Sequence, residues 1–276
     1  MDLLNITDIV TGSLLVEQAG LTRLVVDNRA IKRPEAGHGP LAAGALARCL
    51  DLRFLALRRF EWSALTSLTA LSSLSHVSLN FMGSIHDIGP LSACSKLVSL
   101  RINWCHGLTD WEPLRAMTGL TSFTLVHPTL NFTVSPFEAL TNHPSLLEVT
   151  FRGLYGRLDC SPIATCSYLK SLRFHYSYGP LDIGWIGLLT ALTSLDLSEC
   201  EYIISLEALS TCSSLRYVDL RGCKGLSPSS FTCLEACKKL ITLLCDFDVE
   251  LRGGGLLSQT HPLSDDAGAN DDPLTL

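Results

Sequence analysis

From Leu21 to about residue 250, apolar residues return in one spacing: a leucine, then apolar positions three and five residues later. Leu74-Val77-Leu79, Leu97-Leu100-Ile102, Leu120-Phe123-Leu125, Leu146-Val149-Phe151, Leu169-Leu172-Phe174, Leu192-Leu195-Leu197 and Leu215-Val218-Leu220 keep it in register, and further copies start at Leu21, Leu52 and Leu240. Successive starts lie 31, 22, 23, 23, 26, 23, 23, 23 and 25 residues apart, a regularity that marks a structural repeat. Alternation over so few residues specifies a short strand with one buried face. The second half of each unit repeats as well. Asp87, Asp110, Asp159 and Asp182 precede Pro90, Pro113 and Pro162, Pro136 holds the proline place in its own unit, and Leu91, Leu114, Phe137, Ile163, Ile186 and Leu209 follow. Proline fixes φ and limits the return to a short helical or 3₁₀ segment, for which the aspartates are the expected caps. A unit of this size cannot bury its apolar face alone, so the units must stack. The expected fold is an α/β solenoid, with a parallel sheet on the concave side and short helical or 3₁₀ segments on the convex side.

The unit Leu97-Val-Ser-Leu-Arg-Ile-Asn-Trp-Cys105-His-Gly-Leu108-Thr-Asp110-Trp-Glu-Pro113-Leu114 is similar to two subfamilies of the leucine-rich repeat superfamily at once. Its L-x-x-L-x-L-x-x-C-x-x-L-T-D part resembles the cysteine-containing repeats of F-box proteins. Its D-x-x-P-L part resembles the repeats of internalins and of phosphatase-regulating proteins. The Cys- and Ser-rich, weakly charged wording is loosely similar to leucine-rich repeat proteins of trypanosomatids. The resemblance spans residues 21 to about 250 and implies a horseshoe that binds a protein partner on its concave face. The two subfamilies imply narrower roles, a substrate receptor of a ubiquitin ligase or a regulatory subunit of a protein phosphatase. No F-box-like helical module stands before the repeats.

Residues 1–50 are expected to form an N-terminal cap with one irregular repeat at Leu21, an insert Pro34–Pro40 and an Ala-rich short helix over 41–50. Residues 51–251 form the repeat domain, about nine repeats of 22–26 residues, and 252–276 read as a flexible acidic tail opened by the linker Gly253-Gly254-Gly255. With 47% hydrophobic and 17% charged residues, the chain is ordered outside its ends. A net charge of -6 opposes general attraction to phosphate backbones or anionic membranes, so nucleic acid is disfavoured and no membrane partner is expected. The first residues lack a basic stretch followed by an apolar one, so the expected location is intracellular, in the cytoplasm. The sequons at Asn5 and Asn131 carry little weight without a secretion signal.

Eleven cysteines invite a zinc or disulfide reading, but the repeat frame absorbs ten of them. Cys49, Cys94, Cys166, Cys212 and Cys237 each stand three residues before a repeat leucine, and Cys105, Cys200 and Cys223 stand eight after one. Cys160 takes the inward slot of Ile88, Trp111, Ile183 and Leu206, and Cys245 a strand slot. Cys233 has no place in the frame. Small buried hydrophobes are the expectation, with stacked pairs such as Cys200/Cys223 able to cross-link only in an oxidising compartment. Ligands spread along a solenoid axis do not converge on zinc. No H-E-x-x-H, G-x-S-x-G or Ser-His-Asp grouping occurs at a usable sequence spacing. No catalytic residue, metal, cofactor or small-molecule substrate is therefore expected.

Residues two, four and six after each repeat leucine should face the concave side, and the seventh should lie on its rim. Those columns contain a basic and aromatic stretch, Phe81, Arg101, Asn103, Trp104, Arg152, Arg173, His175 and Tyr176. An acidic flank follows, Asp196, Glu199 and Asp219. Arg, Trp and Tyr dominate interface energies, and paired patches of opposite sign orient a partner. These residues are the candidate partner-binding site. Trp111 takes a core slot, Trp104 points outward, and Trp62 and Trp185 have no assigned place.

Overall fold

The computed structural model describes residues 4–6, 20–27, 46–59, 65–128, 132–247, 249 and 257–258. They fall into two compact units that meet in sequence between Ala139 and Leu140. In the first unit, β1 (Leu4–Ile6), β2 (Arg23–Asp27), β3 (Phe54–Arg58), β4 (His76–Asn80), β5 (Ser99–Asn103) and β6 (Ser122–Val126) pair in chain order, all parallel. A single helical turn, α1 (Pro136–Ala139), follows. The second unit repeats the arrangement with β7 (Glu148–Arg152), β8 (Ser171–His175), β9 (Ser194–Asp196), β10 (Tyr217–Asp219), β11 (Thr242–Leu244) and β12 (Leu257–Ser258). β1 lies in the segment expected to cap the repeats and β12 in the segment read as a flexible tail. The insert 34–40 and most of the Ala-rich segment lie outside the described residues.

Each strand from β2 to β11 begins two residues after its repeat leucine. The register keeps equivalent positions abreast, Leu55 beside Val77, Leu100 and Phe123, and Arg58 beside Asn80, Asn103 and Val126. The third and fifth positions of each unit therefore stack into one core, where Leu100, Ile102, Phe123 and Leu125 of the first unit and Leu172, Phe174, Leu195 and Leu197 of the second are buried. On the return side the 3₁₀ segments Gly89–Ala93, Glu112–Ala116, Ser161–Thr165 and Gly184–Leu188 bury one apolar residue in common, Leu91, Leu114, Ile163 or Ile186. The aspartates start these turns by an Asx-type bond. Asp87, Asp110, Asp159 and Asp182 accept the N–H two residues on, from Gly89, Glu112, Ser161 and Gly184, at 2.6 to 3.0 Å. Trp111 fills its core slot, and the indole of Trp185 is buried with its N–H donated to the Asp182 carbonyl at 2.8 Å.

All eleven cysteines are free thiols. Besides filling space, several donate S–H bonds to carbonyls of the preceding coil: Cys166 to Leu140 at 3.2 Å, Cys200 to Phe174 at 3.3 Å, Cys223 to Leu197 at 3.1 Å, and Cys237 to Leu209 at 3.2 Å. Cys233, which the repeat frame leaves unplaced, does the same to Leu206 at 3.1 Å. A thiol is thus a donor small enough for the crowded turn. Burial pushes the Cys105 thiol up to about 11 and the Cys200 thiol up to about 12.

Candidate protein-binding face

One backbone feature builds the rim. The seventh residue after the repeat leucine is left-handed in eight coils: Arg59, Phe81, Trp104, His127, Gly153, Tyr176, Glu199 and Gly222, with φ between 47° and 73°. At Arg59, Phe81, Trp104, Gly153, Tyr176 and Glu199 its N–H still extends the ladder to the next coil, as from Phe81 to the Asn103 carbonyl at 2.8 Å and from Trp104 to the Val126 carbonyl at 3.0 Å, whereas the Gly222 N–H goes to the Asp246 carboxylate. The left-handed turn swings the chain off the sheet after this last ladder bond. Glycine adopts it freely, whereas an L-residue loses roughly 1–2 kcal/mol there. Six of the eight positions nevertheless carry side chains, three of them aromatic rings other than His. Periodicity places these residues on the rim, but a run of Arg, Phe, Trp and His gives no sign of a positive φ.

In the first unit the rim side chains form a stack. Phe81 and Trp104 lie 6.1 Å apart and nearly parallel, at 7°, and Trp104 and His127 lie 4.2 Å apart at 31°. His106 meets Trp104 edge-on at 5.4 Å. Over the other side of Phe81 sit the guanidiniums of Arg58 and Arg59, at 5.2 and 5.3 Å, and both approach Asp27. Phe81 and Trp104 stay 36% and 38% exposed. Arg101 stands half-buried on β5 between Ser78 and Thr124. Asn103 is buried and donates to the Asn80 side chain at 3.4 Å, and Asn80 donates in turn to Ser78.

The second unit gathers the other candidates differently. The Arg152 guanidinium lies 5.1 Å over the Tyr176 ring, and His175 is tilted against the same ring at 6.4 Å. Arg173 is exposed on β8, in register between Thr150 and Asp196. His175 is clasped by the next coil. Its Nε2 is 2.9 Å from Asp196 and its Nδ1 2.8 Å from the Ser198 hydroxyl, while the Ser198 N–H donates to Asp196 at 3.0 Å. Burial raises the Asp196 carboxyl, but the hydrogen bond and charge of His175 together with the Ser198 donors outweigh it and hold the carboxyl below its ordinary value. This Ser-His-Asp contact is invisible to sequence spacing because His175 stands one coil before Asp196 and Ser198. With Ser198 only 6% exposed, it acts as a clasp that orients the imidazole.

The acidic flank is less open than the columns suggest. Asp196 is 8% exposed and Asp219 only 2%. Asp219 accepts two bonds from the Arg221 guanidinium at 2.6 and 3.0 Å, one from the Arg221 N–H, and one from the Tyr217 hydroxyl at 3.3 Å. Glu199, on the rim, is the most accessible of the three. Sequence reading also passed over Tyr155 and Tyr178, exposed rings stacked at 5.1 Å and 15°. Their signal was present, a Tyr-Gly pair at the same offset in two consecutive repeats. A groove of about 980 Å³ beside Asp159, Asp182, Trp185, Tyr202 and Ile204 went unnoticed as well. Trp62 lies outside the described residues. Among those described, no three His, Cys, Asp or Glu side chains converge as a metal site would require, and no helix is long and apolar enough to cross a membrane.

No protein-family model and no curated protein matches the chain. Solved structures do. An internalin (inlF) from Listeria monocytogenes is 21% identical, with a TM-score of 0.56 over 86% of this chain and 76% of its own. Internalin C2 of the same organism is 18% identical, with a TM-score of 0.52 over 74% and 83%. TLR13, solved as a complex with single-stranded RNA, is 18% identical, with a TM-score of 0.61 over 88% of this chain and 36% of its own. The fold is a leucine-rich repeat solenoid. Most strand positions two, four and six after the repeat leucine hold polar residues, apart from the buried apolar cluster Val25, Phe54 and Ala56 and the apolar Val126 and Leu244, and the left-handed position beside them holds the exposed rings of Phe81 and Trp104.

Proposed function

We propose that the chain is a non-catalytic scaffold that binds a partner protein through its strand faces and left-handed rim. One observation carries this reading. Glycine satisfies the rim backbone at Gly153 and Gly222, yet Phe81, Trp104 and Tyr176 occupy the same position with φ of 53° to 55°. Bulky residues in a strained conformation cluster where function requires them. Exposed Trp, Tyr and Arg are also the residue types that dominate binding energies. The binding set is Phe81, Arg101, Asn103 and Trp104 on the first unit, and Arg152, Arg173, His175, Tyr176, Asp196, Glu199 and Asp219 on the second. Within it Asn103, Asp196 and Asp219 hold neighbours in place, and the rest make contact.

The test is affinity capture of the full chain from its native cells, in parallel with an Arg101→Ala/Trp104→Ala variant. A stoichiometric protein lost in the variant, with circular dichroism unchanged, supports the reading; undiminished capture sinks it. The narrower roles implied by the repeat wording are substrate receptor of a ubiquitin ligase and regulatory subunit of a phosphatase. Co-purification of a ligase adaptor or of a phosphatase separates them. The free, buried thiols agree with a reducing compartment, and we place the protein in the cytoplasm, where a fluorescent fusion should be found.

A further inference from the structure

The strand-face and rim columns carry opposite charge in the two units. Among the described residues, the first unit has Arg23, Arg58, Arg59 and Arg101 there against one carboxylate, Asp27, which is buried beside Arg58 and Arg59. The second has three arginines against Glu148, Asp196, Glu199, Asp219 and Asp246. In a chain of net charge -6, the first unit therefore presents a locally positive face. The rim stack adds to it. Phe81, Trp104 and His127 follow one another ring to ring, so ring edges are part of what Phe81 and Trp104 present to solvent. A ring edge is the electropositive side of the aromatic quadrupole.

We infer that the rim and strand face of the first unit receive an extended acidic peptide segment. This rests on the scaffold reading above and names the chemistry of the partner. Four rim positions, Arg59 to His127, follow one another at about 4.8 Å per coil, a span that about five residues of extended peptide cover at about 3.4 Å each. Carboxylates of such a segment meet the guanidiniums of Arg59 and Arg101, and its carbonyls meet the ring edges. Single-stranded nucleic acid fits less well. Its bases bind by stacking on open ring faces, and here the guanidiniums of Arg58 and Arg59 already lie over the Phe81 ring while Trp104 packs against His127 at 4.2 Å.

The experiment uses the full chain and fluorescein-labelled peptides of equal length alternating Glu-Gly, Lys-Gly or Ser-Gly, with labelled oligouridylate as a fourth probe, read by anisotropy at low and physiological ionic strength. The Glu-Gly peptide should bind at least about tenfold more tightly than the other probes and weaken as salt rises. Phe81→Asn/Trp104→Asn should weaken it by about tenfold or more, the size of a lost hot spot. Asn adopts the left-handed conformation more readily than Phe or Trp, so the rim backbone survives. Arg101→Gln, which leaves the rings in place, provides a second and independent variant. Equal affinity for the three peptides, or Glu-Gly binding undiminished in both variants, overturns the assignment. Tighter binding of oligouridylate overturns it in favour of nucleic acid. If a native protein is captured through Arg101 and Trp104 while the Glu-Gly peptide fails to bind, the scaffold reading stands and only the acidic segment is lost.

Discussion

The left-handed rim makes a quantitative prediction at Gly222, whose φ is 73° and whose N–H donates to the Asp246 carboxylate at 2.6 Å. A Cβ there would stand 2.6 Å from the carboxyl carbon of Glu199, the rim residue of the preceding coil. Gly222→Ala should therefore lose about 1–2 kcal/mol for the left-handed backbone. Displacing the flexible Glu199 side chain adds a few tenths more. At about 2–4 °C per kcal/mol for a protein of this size, the melting temperature should fall by about 3–8 °C. The same reasoning gives Glu199→Gly the opposite sign, because relief of about 1–2 kcal/mol outweighs the roughly 0.5–1 kcal/mol entropic disadvantage of glycine. Glu199→Val, β-branched at φ 59°, should be the least stable of the three. In the Glu199→Gly background the contact term disappears, so Gly222→Ala should lose less than in the parent chain. The assay is urea unfolding of the four single and double variants, followed by circular dichroism and Trp fluorescence and analysed as a double-mutant cycle. If Gly222→Ala unfolds at the parent midpoint, or Glu199→Val matches Glu199→Gly, the rim backbone is not enforced and the functional reading of its side chains fails with it.

Arg221→Met strips Asp219 of its guanidinium partner while leaving the carboxylate buried, and should destabilise the second unit by about 2–4 kcal/mol, seen as a lower urea midpoint; Asp219→Leu in the same background should recover part of it. The depressed Asp196 carboxyl contributes stability that is fully present above the unfolded pKa of about 3.9 and is lost as pH falls through its lower folded value. His175→Ala should lower stability near neutral pH and shrink this acid dependence, as read by urea midpoints from pH 7 to 3; a parallel offset at every pH would contradict it. The buried thiols should resist an aromatic disulfide reagent until unfolding, with half-buried Cys233 reacting first. Rapid modification of Cys105 or Cys200 in the folded chain would contradict their raised pKa.

Much of this protein is written in its periodicity. The leucine spacing by itself determines strand positions and register, because a one-residue slip would turn every apolar side chain to the wrong face. The recurring aspartates, prolines and cysteines likewise announce the turns, since each repeat meets the same local geometry again. Columns such as Phe81-Trp104 or Arg173-Asp196 are therefore legible before any coordinates. Three things only the tertiary structure decided. Rim φ values are positive at Phe81, Trp104 and Tyr176 because the ladder bond to the next coil enforces them, against the preference of those residues. The clasp of His175 by Asp196 and Ser198 joins residues on adjacent coils, and side-chain reach across a sheet is set by rotamers that a column of names does not contain. Asp219 is buried under Arg221 although the alternation assigns it to the open face, because the guanidinium of Arg221, two residues on and just past the end of β10, folds down over the carboxylate. Local repetition specifies where each side chain starts; packing between coils decides where it ends.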